Sequence, residues 1–260
     1  MAVDEEVAGG VPWLKEGSGA KVIGYSRLPM LDLTIIKAIT LDLDDTLWPI
    51  WPAIERAEKA LDSWLGRYAP MTAALFLNPA TRHEIREQVI RSRPDLKHNL
   101  SAIRLTAIRL ALLRAGENPA LAEIAFDVFF AERNRVTLFD CALPTLKFLA
   151  TRFPLVAVSN GNADIKRVGI DSYFCASISA QQLGVGKPDP RIFHAAAAAA
   201  KVAPSQVLHV GDDAALDVLG ALNCGMQTVW VNRSEQVWAH AAVPHKTVAT
   251  LTELCELFPT

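Results

Sequence analysis

Three times along this chain a short apolar run breaks off at a small polar set. Ile35-Ile36-Lys37-Ala38-Ile39-Thr40-Leu41 runs into Asp42-Leu43-Asp44-Asp45-Thr46. Leu155-Val156-Ala157-Val158 runs into Ser159-Asn160-Gly161, and Val207-Leu208-His209-Val210 into Gly211-Asp212-Asp213. Runs this short and this continuously apolar read as strands buried on both faces, and a parallel sheet covered by helices is the arrangement that buries both. Thr228–Val231, after Gly225, reads as a further strand, and Ile178-Ser179-Ala180 as a short one. Helical sequence lies between them, over 144–151, 190–201 and 214–222. The six alanines 195–200 extend one of these helices, with Asp189 placed to cap it and Pro190 at its first turn. Strands alternating with helices predict an α/β fold, a doubly wound parallel sheet. Ligands of such sheets bind beyond the carboxyl ends of the strands, where these polar sets stand.

The texture changes between residues 51 and 140. Ile54, Ala57, Leu61, Trp64, Leu65 and Tyr68 follow a three-or-four spacing, Ile85, Val89 and Ile90 begin a second such pattern, and Ile103 to Arg114 form a third that stops at Gly116. A fourth spans about 119–133. This stretch carries no strand signal and is read as a separate helical module. The expected organisation is a weakly ordered leader over 1–33, a core domain over 34–50 and 141–260, and an inserted α-helical domain over 51–140.

Composition narrows the function classes. Lys plus Arg number 26 against 28 Asp plus Glu, so the net charge is −2, and pI is about 6.3. That balance offers no basic footprint for nucleic acid or an anionic membrane. No apolar run approaches the roughly 18 residues of a spanning helix. The acidic start Met1-Ala2-Val3-Asp4-Glu5-Glu6 lacks the basic region of a secretory signal. Cys141, Cys175, Cys224 and Cys255 are far apart and form no metal-binding pair, which reads as buried thiols in a reducing compartment, the cytoplasm.

Asp42, Asp44 and Asp45 crowd three carboxylates at one strand end, and Asp212-Asp213 add two at another. Like charges gathered under apolar cover call for a compensating cation, and Mg²⁺, which prefers oxygen ligands and keeps several waters, is the natural choice. Here the sequence resembles the haloacid dehalogenase-like hydrolase superfamily, whose four motifs stand in order between residues 34 and 235. Asp42-Leu43-Asp44-Asp45-Thr46 matches the first motif and Ser159 the second. Lys187, in Gly186-Lys187-Pro188-Asp189-Pro190, matches the third, and Gly211-Asp212-Asp213-Ala214-Ala215-Leu216-Asp217 the fourth. The resemblance implies a Mg²⁺-dependent phosphatase of small phosphorylated metabolites. Asp42 would attack phosphorus, and Asp44 would serve as acid and then base. Asp42, the Asp44 carbonyl and Asp212 would hold the metal. Ser159 and the amides of Asn160 and Gly161 would bind phosphoryl oxygens, with Lys187 neutralising their charge. Asp213 and Asp217 are equally placed to orient metal waters or pair with Lys187.

Asp42 and Ser159 lie 117 positions apart but Ser159 and Lys187 only 28, so the insertion falls after the first motif, as in members with a helical cap. Hinges are expected near 49–52 and 139–144. The wider strings around these motifs resemble a bacterial branch acting on FMN and on the phosphorylated ribitylamino-uracil intermediate of riboflavin synthesis. Two alternatives stand beside this reading: a 2-haloacid dehalogenase on the same fold, against which Asp44 counts, and a catalytically silent binding protein. His209 reads as a satisfied core histidine. Trp48, Trp51 and Trp64 read as cap packing, with Trp48 near enough to the motif to touch substrate. The basic segment 91–99 is either a solvated loop or a surface facing the site.

Overall fold

A computed structural model describes residues 30–258. Residues 1–29, most of the expected leader, lie outside the described residues. Its last part is already tied to the sheet: Asp32 N donates to Gln227 Oε1 at 2.7 Å, and Gln227 Nε2 donates to Asp32 O at 2.7 Å.

The chain forms β1 (Ala38–Leu41), then five helices: α1 (Ile50–Tyr68), α2 (Pro70–Phe76), α3 (Pro79–Ser92), α4 (Leu100–Arg114) and α5 (Ala122–Arg133). It continues through α6 (Ala142–Ala150), β2 (Leu155–Ser159), α7 (Ile165–Val168), β3 (Ala176–Ser179), α8 (Ala180–Leu183), α9 (Pro190–Ala199) and β4 (Val207–Gly211). A π-helical turn (Ala214–Leu219), α10 (Gly220–Leu222), β5 (Gln227–Val231), β6 (Lys246–Val248) and α11 (Leu251–Glu256) complete it. Among the described residues six strands form one sheet in the order β3-β2-β1-β4-β5-β6, every pair parallel.

Side-chain alternation makes the sheet doubly wound. Ile39, Leu41, Leu155, Ala157, Leu208 and Val210 pack with α6 and α11 on one face. Ala38, Val156, Val158 and Val207 pack with Ile192, Phe193 and Ala196 of α9 on the other. Each fully buried Leu, Ile or Phe contributes about 1.5–3 kcal/mol, so neither face can be left to water. The helices α1–α5 gather a separate apolar cluster that includes Leu61, Leu65, Ile85, Ile108 and Phe129. The chain enters this helical layer at Pro49 and returns to the sheet where Phe139 N donates to Leu47 O at 3.0 Å.

Several local readings change. The apolar run 35–41 yields only a four-residue strand, because Asp32 caps a 3₁₀ turn over Leu33–Ile35. Pro144 sits at the third position of α6, not the first. The short helix α2, the edge strand β6 and α11 were not foreseen; β6 exposes two of its three residues, which leaves little apolar pattern to read. None of the four cysteines is fully buried: Cys175 is exposed, and Cys141, Cys224 and Cys255 are half-buried. Trp64 does pack in the helical cluster, but Trp51 is largely exposed and Trp48 is fully buried in the sheet-side core. Among the described residues no helix is long and apolar enough to cross a membrane.

Candidate active site

The strand order reverses direction at β1: the chain builds β2 and β3 on one side of it and β4 to β6 on the other. The splayed connections leave a crevice beyond the carboxyl ends of β1, β2 and β4, the general binding place of open α/β sheets. Leu41 is in register with Ala157 on one side and Val210 on the other, and Asp42 N donates to Val210 O at 2.9 Å. Asp42, Ser159 and Gly211-Asp212 therefore leave the sheet at one level. The turn after β1 closes through Asp45, at φ 59°, where a short polar side chain is tolerated and Oδ1 accepts from Ile50 N at 2.9 Å.

Lys187 crosses the crevice floor. Its side chain is 3% exposed, and Nζ donates to Asp42 Oδ1 and, at 2.6 Å, to Asp217 Oδ1. Asn160 fixes its backbone from both sides: Asn160 Oδ1 accepts from Lys187 N at 2.7 Å, and Asn160 Nδ2 donates to Lys187 O at 2.9 Å. The Asn160 side chain thus sets the position of Lys187. Ser159 Oγ accepts from Gly161 N at 2.9 Å, which forms the turn at the end of β2.

The structure separates the two acids that the sequence left unranked. Asp213 is exposed and caps the π-helical turn, its Oδ1 accepting from Ala215 N at 2.8 Å and Leu216 N at 2.7 Å. Asp217 is 1% exposed and bonds Lys187 and His209, while its Oδ2 accepts from Asp213 N at 3.1 Å. The wide turn brings Asp217 back under Gly211, where an added Cβ would stand 2.3 Å from Asp217 Cγ. His209 is a satisfied core histidine. Nε2 lies 3.1 Å from Asp217 Oδ1 and so carries the proton, while Nδ1 accepts from the Thr40 hydroxyl at 2.8 Å.

Electrostatics follow from burial. Burial pushes the Asp42 carboxyl well above its usual range, with Lys187 opposing and the Asp217 and Asp212 charges adding. Burial and the neighbouring Asp217 raise Asp212 to about 6. Burial would raise Asp217 too, but the Lys187 ammonium and His209 hold it at about 2. Lys187 is raised above its ordinary value because those carboxylates outweigh its own burial. Burial lowers His209, so it stays neutral.

Oxygens of Asp42, Asp212 and Asp217 lie within 4.8 Å of one another. Three carboxylates facing one ammonium leave two charges uncompensated, and the donors are all hard oxygens, so the set fits a small divalent cation. Asp217 is already engaged by Lys187, His209 and a backbone amide. Asp42 and Asp212 have oxygens to spare, and Thr46 Oγ1 sits between them, 3.4 Å from Asp42 Oδ2 and 3.0 Å from Asp212 Oδ1. The Asp44 carboxylate does not join this group. It faces away to Trp48, whose Nε1 donates at 2.8 Å, and to Arg133, whose Nη2 donates to both of its oxygens at 2.8 and 2.7 Å.

Arg133 and the Trp48 contact were missed from the sequence. A basic residue ending an amphipathic helix looks like any solvated end charge, and only the fold carries α5 back to the crevice. In the segment 91–99 Arg93 pairs with Asp95 in solvent, while His98 lies near enough to Asp189, two residues past Lys187, to act on its charge.

A family model described as haloacid dehalogenase-like hydrolase matches residues 36–225. The chain is 34% identical to the 5-amino-6-(5-phospho-D-ribitylamino)uracil phosphatase of Escherichia coli, over 85% of this chain and 96% of that one. It is 31% identical to a phosphoserine phosphatase of Thermus thermophilus, over 84% and 98%. A crystal structure described as a 2-haloacid dehalogenase from Pseudomonas syringae superposes with a TM-score of 0.82 at 39% identity, covering 85% of this chain and 97% of that one.

Proposed function

Since the chain belongs to the haloacid dehalogenase-like hydrolase family, we propose that it is a Mg²⁺-dependent phosphatase of a small phosphorylated metabolite, with Asp42 as its nucleophile. The observation that carries this is the pairing of two differently held acids at one strand end. Asp42 lies against Lys187 and the Asp212 side, and Asp44, two residues on, is held apart from them by Arg133 and Trp48. Asp42 Oδ attacks phosphorus, forming an acyl phosphate and expelling an alkoxide that takes a proton from Asp44. Asp44 then removes a proton from water, which attacks the same phosphorus and frees Asp42 and inorganic phosphate. Splitting the displacement replaces one hard step by two easier ones. Both Asp44 oxygens are engaged by Arg133, so one must be released before it can face the leaving oxygen.

The ammonium of Lys187 neutralises charge on the phosphoryl group, and the Ser159 hydroxyl with the Asn160 amide supplies donors beside it. The Gly161 amide is given to Ser159 Oγ and orients that hydroxyl. Asp42, Asp212 and a backbone carbonyl from Asp44 would hold Mg²⁺, which supplies charge neutralisation and in-line orientation for phosphoryl transfer. Asp217 holds Lys187 in place.

The physiological substrate we propose is the phosphorylated ribitylamino-uracil intermediate of riboflavin synthesis or FMN, supported by the likeness to the Escherichia coli phosphatase. A single observation favours a second reading, 2-haloacid dehalogenation: the 39% identity to the Pseudomonas syringae protein so described. There Asp42 would displace halide from carbon, a leaving group that needs no acid at Asp44. The two readings part in one assay. Phosphate release from p-nitrophenyl phosphate and FMN that stops on chelation and returns with Mg²⁺ supports the phosphatase. Chloride release from 2-chloropropionate that persists under chelation, with no phosphate ester turned over, overturns it.

A further inference from the structure

Strand β5 carries none of the four motifs, yet its end grips two residues beside the acids that would hold the metal. Gly211 and Trp230 are in register, and Trp230 Nε1 donates to Asp212 O at 2.7 Å. Three residues on, Arg233 Nη2 donates to Thr46 O at 3.1 Å. The Thr46 hydroxyl in turn donates to Asp212 Oδ1 at 3.0 Å, with Asp42 Oδ2 at 3.4 Å. Thr46 is fully buried, and among the described residues no other donor reaches its carbonyl.

Arg233 is itself held in place. Asn232 N donates to Val248 O at 2.8 Å. The Asn232 side chain closes the next turn from both sides, Nδ2 donating to Gln236 O at 2.9 Å and Oδ1 accepting from Gln236 N at 2.9 Å. The Arg233 guanidinium lies 3.9 Å from the Phe139 ring centre, and Phe139 N donates to Leu47 O at 3.0 Å. One side chain therefore touches the chain just before it leaves for the helical layer and again where it returns. Arg233 Nε is buried without a hydrogen-bond partner among the described residues. A buried donor left idle is costly, so the guanidinium is not placed to satisfy its own hydrogen bonds. Thr46 O and the Phe139 ring set its position.

We propose that Arg233 is a positioning residue for the metal acids: it fixes the Thr46 peptide, and the Thr46 hydroxyl then holds the Asp212 carboxylate turned toward Asp42. The inference rests on the Mg²⁺ reading above, and the test separates the two. Groups that orient a metal's ligands are worth about 10–100-fold in metal affinity or activity. A cavity of about 300 Å³ borders Arg233, Asp45 and Asp212. Once the guanidinium is removed, water entering from there satisfies the Thr46 carbonyl without fixing it.

The measurement is the Mg²⁺ concentration that half-saturates the rise in melting temperature of the full chain, read beside kcat and KM for p-nitrophenyl phosphate. Arg233→Met still covers Phe139 but loses the donor. It is expected to raise that concentration roughly tenfold and to lower kcat at fixed Mg²⁺ with KM little changed. Arg233→Gln serves the same comparison where Arg233→Met does not fold. Arg233→Lys, which can still donate to Thr46 O, is expected to regain most of the loss. Thr46→Val removes the hydroxyl through which Arg233 acts, so Arg233→Met in that background should add no further loss. A role in stability alone would lower melts in EDTA and leave the half-saturating concentration at its wild-type value. That unchanged concentration, or the same loss with and without the Thr46 hydroxyl, would overturn the inference while leaving the metal and the phosphatase intact. A wild type that gains no stability from Mg²⁺ would overturn the Mg²⁺ reading, and this inference with it.

Discussion

Replacing Asp217 by Asn removes one carboxylate charge and little volume. Asp217 Oδ1 takes bonds from Lys187 Nζ at 2.6 Å and His209 Nε2 at 3.1 Å, and Oδ2 takes the Asp213 amide at 3.1 Å. Every neighbour is a donor, so an amide NH₂ at either position meets a donor and leaves at least one bond unmade. Gly211 packs so close under the carboxyl carbon that the side chain cannot swing to a new partner. Lys187, 3% exposed, keeps only Asp42. Breaking a buried pair on one side costs about 3–5 kcal/mol. At about 2–4 °C per kcal/mol for a chain of this size, the melting temperature should fall by roughly 6–20 °C. The pH dependence has a definite sign. A carboxyl held at about 2 in the fold, below its unfolded 3.8, stabilises above pH 4 and loses that contribution as pH falls through 2. The shift corresponds to about 2 kcal/mol. Wild type and Asp217→Asn should therefore differ most at pH 7, and the gap should narrow by about 2 kcal/mol between pH 4 and 2. Calorimetric melts in EDTA across that range measure it. A melting temperature within 1 or 2 °C of wild type at pH 7, or a gap that widens in acid, would refute the assignment of Asp217 as the partner that holds Lys187.

Four further outcomes are expected. Asp42→Asn should lower phosphate release by roughly 10⁴-fold or more while circular dichroism stays unchanged, the usual size for a lost nucleophile. Gly161→Ala, whose Cβ would stand 2.4 Å from Asp44 Oδ2, should cut kcat about 10²-fold by displacing the acid; steady-state kinetics check this. Millimolar Mg²⁺ should raise the melting temperature of the wild type but not of Asp212→Asn, and equal shifts in both would contradict the metal site. Phe129→Ala, 1% exposed and stacked 3.8 Å under the Arg104 guanidinium, should cost about 3–5 kcal/mol by urea unfolding.

Much of the sheet could be read from the sequence because its strands are buried on both faces, and continuous apolar runs with polar ends are hard to mistake. The edge strand Lys246–Val248 escaped because exposure on one side removes that pattern. Strand-end acids were equally legible as a group, since Asp42, Asp44 and Asp212 follow directly on their strands. Their individual environments were not. Asp213 and Asp217 differ only by which side of a π-helical turn they occupy, and no spacing rule specifies that turn in advance. Trp48 looked like cap packing, yet its indole fills the sheet-side core and its Nε1 holds Asp44. Arg133 was invisible for a related reason. Its partner is 89 positions away, and only the return of α5 over the crevice brings the two together.

The claim on which the rest depends is that Asp42 becomes covalently phosphorylated during turnover. Acid-quenching the enzyme in the presence of a phosphate ester, followed by peptide mapping in a mass spectrometer, tests it most directly. The expected result is a phosphoryl adduct on Asp42 that disappears on mild alkaline treatment and never forms in Asp42→Asn. Phosphate release at full rate with Asp42 unmodified, or an adduct on another residue, would contradict the account.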